Sequence, residues 1–226
     1  MILAFRAHVY TGLPLMKVPT LRALSPTDGR YSEKVNELRD IFSEYGLIRF
    51  RVLVEVRGLQ SLADEPDIKE VGPISSVMKD VLNGIVDDFC IDDAERVKAI
   101  EATTNHDVKA VEYFIREKLG DGPETQPLKD FLHFSCTSED INNLAYALML
   151  RSARSNVLLP RMRELRNRLT AMAREHAELA MLSRTHGQAA SPTTLGKELA
   201  NVVARLERAQ QQFSAVEILG KFNGAV

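Results

Sequence analysis

Apolar residues recur every three or four positions along most of the chain, the spacing that places them on one face of an α-helix. In the first half, this pattern predicts one helix over 38–63, a second over about 74–90 and a third that opens at Asp92-Asp93. A fourth predicted helix follows, with Val108, Val111, Ile115 and Leu119 facing inward. The first half is therefore predicted to be helical.

The second half predicts longer helices. Helical spacing persists over 138–175, and Pro160 within it is expected to kink or restart the helix. The polar segment 182–194 is predicted to be a loop, with Ser191 as the N-cap and Pro192 as the first residue of a last helix over about 193–219. The residues expected to face inward from that helix are Leu195, Leu199, Val202, Leu206, Phe213 and Val216.

No segment shows the apolar–polar alternation of a strand, so the fold class is predicted to be all-α. Helices as long as those of the second half indicate a bundle with partners along its length. We expect three segments: an N-terminal extension at 1–19, an N-terminal helical domain at 20–130, and an incomplete central helical-bundle domain at 131–226. The chain stops after a glycine- and lysine-containing loop, and nothing in the sequence closes the bundle.

Composition narrows the possible classes of function. The chain has 226 residues, of which 45% are hydrophobic and 27% charged, with a net charge of −2. These values fit a globular protein and give no electrostatic case for binding nucleic acid or a membrane. Cys90 and Cys136 are the only cysteines, which fits a reducing compartment. We expect a cytoplasmic location.

The first 15 residues leave several interpretations open. They are mildly apolar but carry Arg6 and His8, so they lack the unbroken apolar core of a signal peptide. Met16 is an alternative start, which would leave the upstream residues without a structural role. The other interpretation is a targeting peptide for a plastid or another organelle.

Polar residues cluster at points where helices begin. Arg30 and Tyr31 are the last two residues of a turn predicted at 25–31, where Arg30 would either bind an anion or be solvated. Asn105, His106 and Asp107 precede the fourth helix, with Asn105 as a candidate N-cap. A protonated His106 there would oppose the helix dipole, which favours a functional role, although a solvent-facing histidine is the alternative.

Another cluster lies at the start of the long helix. Thr137 and Ser138 can cap it, and the positive end of its dipole can bind an anion or simply begin a helix. His133 lies just upstream, and His186 and Gln188 lie in the polar segment after the helix. No histidine pair has metal-ligand spacing and no phosphate-binding glycine motif occurs, so we expect neither a metal nor a cofactor. Acid–base chemistry by histidine remains.

Four segments in this order, SPTDGRY, TTNHDVKAVEYF, HFSCTSEDINNLAYALML and LSRTHGQAASPTTLGKELAN, together resemble the adenylosuccinate lyase branch of the fumarase/aspartase superfamily. The resemblance covers about 21–226. The segments TTNHDVKAVEY and TSEDINN are specific to this branch, whereas argininosuccinate lyase and fumarase share only the T-S-x-D and T-H-x-Q elements. The resemblance implies an all-α fold of three domains whose long central helices assemble into a homotetramer.

The implied reaction is β-elimination of fumarate from adenylosuccinate, which leaves AMP, and from succinyl-aminoimidazole-carboxamide ribotide in purine nucleotide biosynthesis. By motif, Arg30 and Tyr31 would hold the nucleotide phosphate. Asn105, His106 and Asp107 would contact the substrate, with His106 orienting it.

The remaining motif residues take the other implied roles. Thr137 and Ser138 would bind the fumaryl carboxylates, with His133 nearby. His186 would be the general acid that protonates the departing N6 of AMP, and Gln188 would assist it. The family's site draws on three subunits.

One departure affects activity. The family carries its general base, a serine, on an S-S-x-M-P-x-K-x-N-P loop that does not occur in this sequence. We therefore expect this chain to be inactive alone. The alternative to a lyase is a non-catalytic helical assembly module derived from the same fold.

Overall fold

The computed structural model describes residues 23–224, in which the part before Leu38 and the part from Leu38 onward form separate compact units. The described part of the first unit forms a series of turns over 24–35, and the backbone N–H groups of Asp28 and Gly29 both donate to the Ser25 carbonyl. The turn predicted at 25–31 is thus confirmed. The predicted extension at 1–19 lies outside the described residues.

A 3₁₀ turn at Asn36–Leu38 leads into the helical unit. Its helices in the first half are α1 (Arg39–Phe42), α2 (Glu44–Ala63), α3 (Ser76–Asp87), α4 (Ile91–Thr104), α5 (Asp107–Leu119) and α6 (Thr125–Phe131). The second half contains α7 (Ser138–Ala153), a π-helical turn (Arg154–Leu158), α8 (Leu159–Glu175), strands β1 (Ala180–Thr185) and β2 (Gln188–Thr194), and α9 (Leu195–Ala215).

The prediction of a single helix over 38–63 was wrong at its start, where the structure has two helices separated at Ser43. Ser43 has extended backbone angles and accepts a hydrogen bond from the Gly46 N–H, so it caps a new helix and separates α1 from α2. Gly46 permits the tight junction, because a Cβ atom there would collide with the Ile41 carbonyl. Serine is a favoured N-cap, so this local preference interrupts an otherwise continuous periodicity.

Helix α2 is the centre of the helical unit and is buried on both sides. Its residues Ile48, Val52 and Val56 belong to a core shared with α3, α4, α5 and α6. Phe50 and Val54 belong to a second core with Ile41, Val108 and the buried face of α7. A helix that is apolar nearly all round is typical of such an interior position.

The helix predicted to begin near Ser138 is confirmed as α7, and it buries one apolar face. Ile141, Ala145 and Met149 are buried, while Leu144 and Leu148 pack partly buried against the same core. The helix continues through the π-helical turn into α8, whose second residue is Pro160. A proline lacks the N–H that an α-helix needs, and the wider π-turn is the local rearrangement that lets the helix restart.

The segment predicted to be a loop is an antiparallel β-hairpin, which corrects the sequence interpretation. Ala180 pairs with Thr194, Leu182 with Pro192 and Thr185 with Gln188. Both strands are largely exposed on both faces, so their sequence carries no alternation that could indicate a strand.

The last helix also begins later than predicted. Pro192 lies within β2, and Thr194, not Ser191, is the N-cap of α9, since its hydroxyl accepts from the Lys197 N–H. Gly196 lies close against the backbone of Ala173 and Ala177, and the Arg154 guanidinium donates to the Val216 carbonyl. Helix α9 therefore runs back along α8.

The apolar face predicted to point inward from α9 is not buried in this chain. Within the described residues, Gly196 is the only buried residue of α9, and α8 contains no buried residue. The exposed large apolar residues of α8, α9 and the segment after α9 are Leu165, Met172, Val202, Phe213, Val216, Leu219 and Phe222. The prediction failed because periodicity identifies an apolar face but not what covers it.

Candidate active site

Helix α2 carries two buried charged residues one turn apart on the same side. Arg51 is 7% exposed and Glu55 is 2% exposed. Residues at i and i+4 of a helix are neighbours on its surface. From this position, they contact the start of α5, the first turns of α7 and the loop between α6 and α7. The two side chains thus link the parts of the chain that carry the motif residues at 105–107, 133 and 137–138.

Asn105, His106 and Asp107 form the junction between α4 and α5. Asn105, predicted to be the N-cap of α5, instead ends α4 with a left-handed backbone (φ 52°). His106 is the N-cap, and its Nδ1 accepts a hydrogen bond from the Lys109 N–H at 3.1 Å. The prediction treated imidazole only as a dipole-opposing cation, whereas a neutral ring caps well because Nδ1 is an acceptor.

The capping bond selects one tautomer of the neutral His106 ring. Because Nδ1 accepts, the ring proton lies on Nε2, which is 3.5 Å from the Ser138 Oγ. The first turns of α5 and α7 therefore meet at this histidine. Its side chain is exposed, so its Nε2 edge is accessible to a ligand.

Asp107 is held in place by Arg51 of α2. Its carboxylate lies 2.5 Å from the Arg51 guanidinium and accepts from the Val108 N–H at 2.9 Å. Partial burial raises the pKa of Asp107, but the Arg51 charge and these hydrogen bonds outweigh burial and place the pKa below its usual value. Arg51 also donates to the side-chain oxygen of Asn142 on α7 at 2.9 Å, so one guanidinium connects both helices.

The loop between α6 and α7 contains two non-glycine residues with left-handed backbone, His133 (φ 63°) and Ser135 (φ 60°). The Nδ1 of His133 lies 2.6 Å from the Glu55 carboxylate. This hydrogen bond raises the pKa of His133 above its usual value, against the opposing effect of burial. His133 therefore carries positive charge more readily than a solvated histidine.

Cys136 lies in the same loop but does not fit a nucleophilic role. Burial, together with the nearby carboxylates of Glu55 and Asp140, raises the pKa of its thiol to about 12. The reactive form of cysteine is the thiolate, which is scarce near neutral pH at such a pKa.

Thr137, one of the two predicted caps, is the N-cap of α7, and Asp140 organises the first turn of this helix. This carboxylate is fully buried and accepts from the Thr137 N–H at 2.9 Å, the Lys221 ammonium at 2.9 Å and the Gly224 N–H at 2.9 Å. The Lys221 bond, followed by the backbone donors, holds the pKa of Asp140 far below its usual range. Asp140 thus ties the last described segment of the chain to the start of α7.

His186 and Gln188 lie elsewhere, at the exposed turn of the hairpin. His186 (φ 48°) and Gly187 (φ 75°) both have left-handed backbone, the pattern of a two-residue type I′ turn. From Ser138, α7 and α8 extend roughly 55 Å at about 1.5 Å per residue. A six-residue strand covers only about 20 Å. One chain therefore does not bring His186 to His106 and Ser138.

Arg30 and Tyr31 lie in the first compact unit. Both side chains are exposed, and the Arg30 guanidinium lies 5.5 Å from the centre of the Tyr31 ring. This stacking places the charge and the phenol on one surface. Their role in binding phosphate stays a prediction.

The residues that sequence reasoning missed are Arg51, Glu55 and Lys221. A charged pair at i and i+4 inside an otherwise apolar helix was the available signal for the first two. Lys221 gave no signal, because its partner Asp140 is distant in sequence.

Comparison with known proteins defines the class to which this fold and site belong. Residues 29–226 match the family model described as Lyase, so the chain belongs to this lyase family. Within it, the chain is 57% identical over 211 residues to the adenylosuccinate lyase of Haemophilus influenzae and 54% identical to that of Escherichia coli. The adenylosuccinate lyase of Legionella pneumophila is 47% identical over the same length. The resemblance drawn from the four motifs is thereby confirmed.

These alignments cover 93% of this chain and 46% of each relative, so the chain spans about half the length of the curated relatives it matches.

Solved structures confirm the predicted fold class. The fumarate lyase from Mesorhizobium sp. BNC1 superimposes with a TM-score of 0.66 at 23% identity, covering 84% of this chain and 42% of that one. The β-carboxy-cis,cis-muconate cycloisomerase from Acinetobacter calcoaceticus sp. ADP1 gives 0.64 at 22% identity, covering 84% and 43%. At these identities, the likeness concerns the helical fold alone. Among residues 23–224, no helix combines the length and apolar character needed to cross a membrane.

Proposed function

We propose that this chain is part of an adenylosuccinate lyase, which eliminates fumarate from adenylosuccinate to leave AMP and performs the same elimination on succinyl-aminoimidazole-carboxamide ribotide. The observation that carries this proposal is the 57% and 54% identity to curated adenylosuccinate lyases over 93% of the chain. The location would be the cytoplasm, where purine nucleotides are made, and no nucleic acid or membrane partner is expected.

The cluster around His106 has the chemistry that such a substrate needs. The substrate combines two carboxylates with a phosphate, and its recognition requires several hydrogen-bond donors. The first turn of α7 offers backbone N–H groups and the hydroxyls of Thr137 and Ser138. His106 offers its Nε2–H, and His133 offers positive charge. Asn105 and Asp107 would complete the contacts, with Asp107 held by Arg51.

His186 would be the general acid, assisted by Gln188. The nitrogen that leaves from the fumaryl group needs a proton, and histidine titrates near working pH. Because His186 lies far from His106 within one chain, the hairpin of a neighbouring subunit would supply His186 to the site around His106. A homotetramer built through the long helices would satisfy this requirement, and Arg30 and Tyr31 would hold the nucleotide phosphate.

The chain alone is expected to be inactive, because it lacks the serine-bearing loop that supplies the family's general base. A non-catalytic assembly module is the second candidate, favoured by the exposed apolar residues of α8 and α9. Such a face fits helix-to-helix assembly whether or not catalysis follows.

A complementation assay separates these functions. Fumarate release is measured from adenylosuccinate with the purified chain alone, and then with the missing half of an adenylosuccinate lyase added as a second polypeptide. Recovery of turnover only in the mixture supports a lyase. Turnover by the chain alone contradicts the expected inactivity, and a fully assembled mixture without turnover favours the assembly module.

A further inference from the structure

The pairing of Glu55 with His133 is more than a structural salt bridge requires. Glu55 lies in the middle of an apolar helix at 2% exposure, and burying a carboxylate is costly unless a partner compensates it. His133 is the one partner that the described residues offer this carboxylate, at 2.6 Å. An apolar residue at position 55 would extend the core without that cost, so the pair calls for another explanation.

The charged groups around His133 come from α2 and α5. Glu55 faces it from α2, and Glu112 and Lys109 act on it from α5. Glu112 is buried too, but it is neutralised by Lys109 at 2.7 Å and Arg116 at 3.1 Å. Glu55 therefore has no lysine or arginine partner among the described residues, and the charge on His133 is what compensates its buried carboxylate.

The geometry also selects one edge of the imidazole. Nδ1 faces the buried carboxylate, and the side chain remains 20% exposed. Within the described residues, Nε2 has no hydrogen-bond partner. The loop holds this orientation with left-handed backbone at both His133 and Ser135, a strained conformation that tends to persist at functional sites.

We propose that Glu55 is a positioning residue that keeps His133 as an imidazolium, with its Nε2–H presented to a phosphate or carboxylate oxygen of the substrate. This inference rests on the proposed function and deepens it, because it gives the buried charge of α2 a role in binding the anionic substrate. Glu55 acts only through His133 and does not touch the substrate.

The first test is NMR titration of the imidazoles in the isotope-labelled chain. In the wild type, both ring nitrogens of His133 should carry protons near neutral pH. Glu55→Gln keeps the shape and an acceptor but removes the charge, and should lower the His133 pKa by about one to three pH units. Glu117→Gln is the matched control: it removes an α5 carboxylate that pairs with Arg96, and should leave His133 unchanged.

The wild-type measurement does not depend on whether the variant folds. A neutral His133 near pH 7 in the wild type overturns the proposal, as does an unchanged pKa in a folded Glu55→Gln protein.

The second test identifies the anion. Inorganic phosphate, AMP and fumarate are each titrated into the chain while the His133 resonances are followed. A response to phosphate and AMP assigns Nε2 to the phosphate end, and a response to fumarate assigns it to a carboxylate. Glu55→Gln should weaken the binding of the anion that perturbs His133 by about tenfold, since a charge-assisted hydrogen bond becomes a neutral one. If no anion perturbs His133, the pair is structural and the proposal fails.

Failure here is distinguishable from failure of the proposed function. In the complemented enzyme, Glu55→Gln should raise KM more than it lowers kcat and shift the alkaline limb of the pH profile towards lower pH. Fumarate release with normal KM in Glu55→Gln would leave the lyase intact and overturn the role of Glu55. If the complemented wild type is inactive but the His133 imidazolium still responds to an anion, the proposed lyase function fails and the role of Glu55 stands.

Discussion

Two side chains on one helix hold much of the candidate site. Arg51 contacts both Asp107 of α5 and Asn142 of α7. Glu55 contacts His133 in the loop between α6 and α7. These residues touch the motif residues from the core side. Arg51 and Glu55 would therefore affect function by holding the motif residues in position and by setting their charge. Substitutions at these two residues test their effect on stability separately from their effect on turnover.

Replacing Arg51 with methionine should destabilise the fold by about 1–3 kcal/mol, because Asp107 and Asn142 lose a buried donor. Urea unfolding measures the change. Arg96→Met is the matched control, since Arg96 makes an exposed, solvent-screened ion pair with Glu117 and its loss should change the free energy of unfolding far less. Equal effects of the two substitutions would contradict the structural role of Arg51.

The His133–Glu55 pair predicts an alkaline loss of stability. The pKa of His133 is raised in the folded state, so the folded chain binds this proton more tightly than the unfolded chain. The stabilisation is complete below the unfolded pKa of about 6.5 and is lost as pH rises through the folded pKa. The measurement is the free energy of unfolding against pH for the wild type and His133→Gln, in which this slope should disappear.

His186→Ala should reduce turnover of the complemented enzyme by about 10²–10⁴-fold, because the leaving nitrogen would lose its proton donor. His176→Ala is the control: His176 ends α8 outside the hairpin and should leave kcat unchanged. Turnover of His186→Ala within a few-fold of the wild type would show that another group is the acid.

At the level of elements, the start of α7 is the most connected point in the site. Its N-cap lies beside the left-handed loop, its first turn meets His106, and Asp140 gathers the last described residues onto it. The helix end thus orders three separate segments. Anything that loosens Asp140 should be felt first in these segments and not in the core.

Asp140→Asn should release the segment 221–224 and fray the first turn of α7, since an amide cannot accept from all the present donors. Hydrogen exchange followed by mass spectrometry should show faster exchange there, with α2 unaffected. Glu139→Gln, an exposed neighbour, is the control. The wild-type protection should also fall with acid, because a lowered carboxyl pKa gives stability that is present above about pH 4 and lost as pH falls.

The whole molecule has an uneven distribution of buried apolar surface. The helices α2 to α7 enclose well-packed cores, whereas α8 and α9 contact mainly each other and expose large apolar residues. A face of this kind is expected to bind something apolar. The proposed homotetramer would cover it.

We therefore predict that the chain self-associates and that Leu165→Glu weakens association by at least about tenfold, since Leu165 is 52% exposed here and would be buried between subunits. Sedimentation equilibrium measures the association constant. Arg163→Glu, on the same helix, is the control for added negative charge. A wild-type chain that stays monomeric at high concentration would contradict the prediction.

Much of the fold was predictable because helical periodicity is a local property. The positions of α2 to α5 and of α7 to α9 followed from apolar spacing to within a few residues at most ends, and Pro160 marked the break before α8, whereas the short helix α6 was not predicted. The break at Ser43 and the hairpin were missed. A single capping residue decided the first, and the exposed strands of the second carry no alternation.

The sequence by itself determined the helical class, the lyase family and the motif residues, because spacing and motif identity are written in neighbouring positions. Only the tertiary structure decided that His106 caps α5, that Glu55 faces His133, and that His186 lies far from both within one chain. The physical reason is that a buried charge or an apolar face has no preferred partner until the helices pack. That choice depends on residues far apart in the chain.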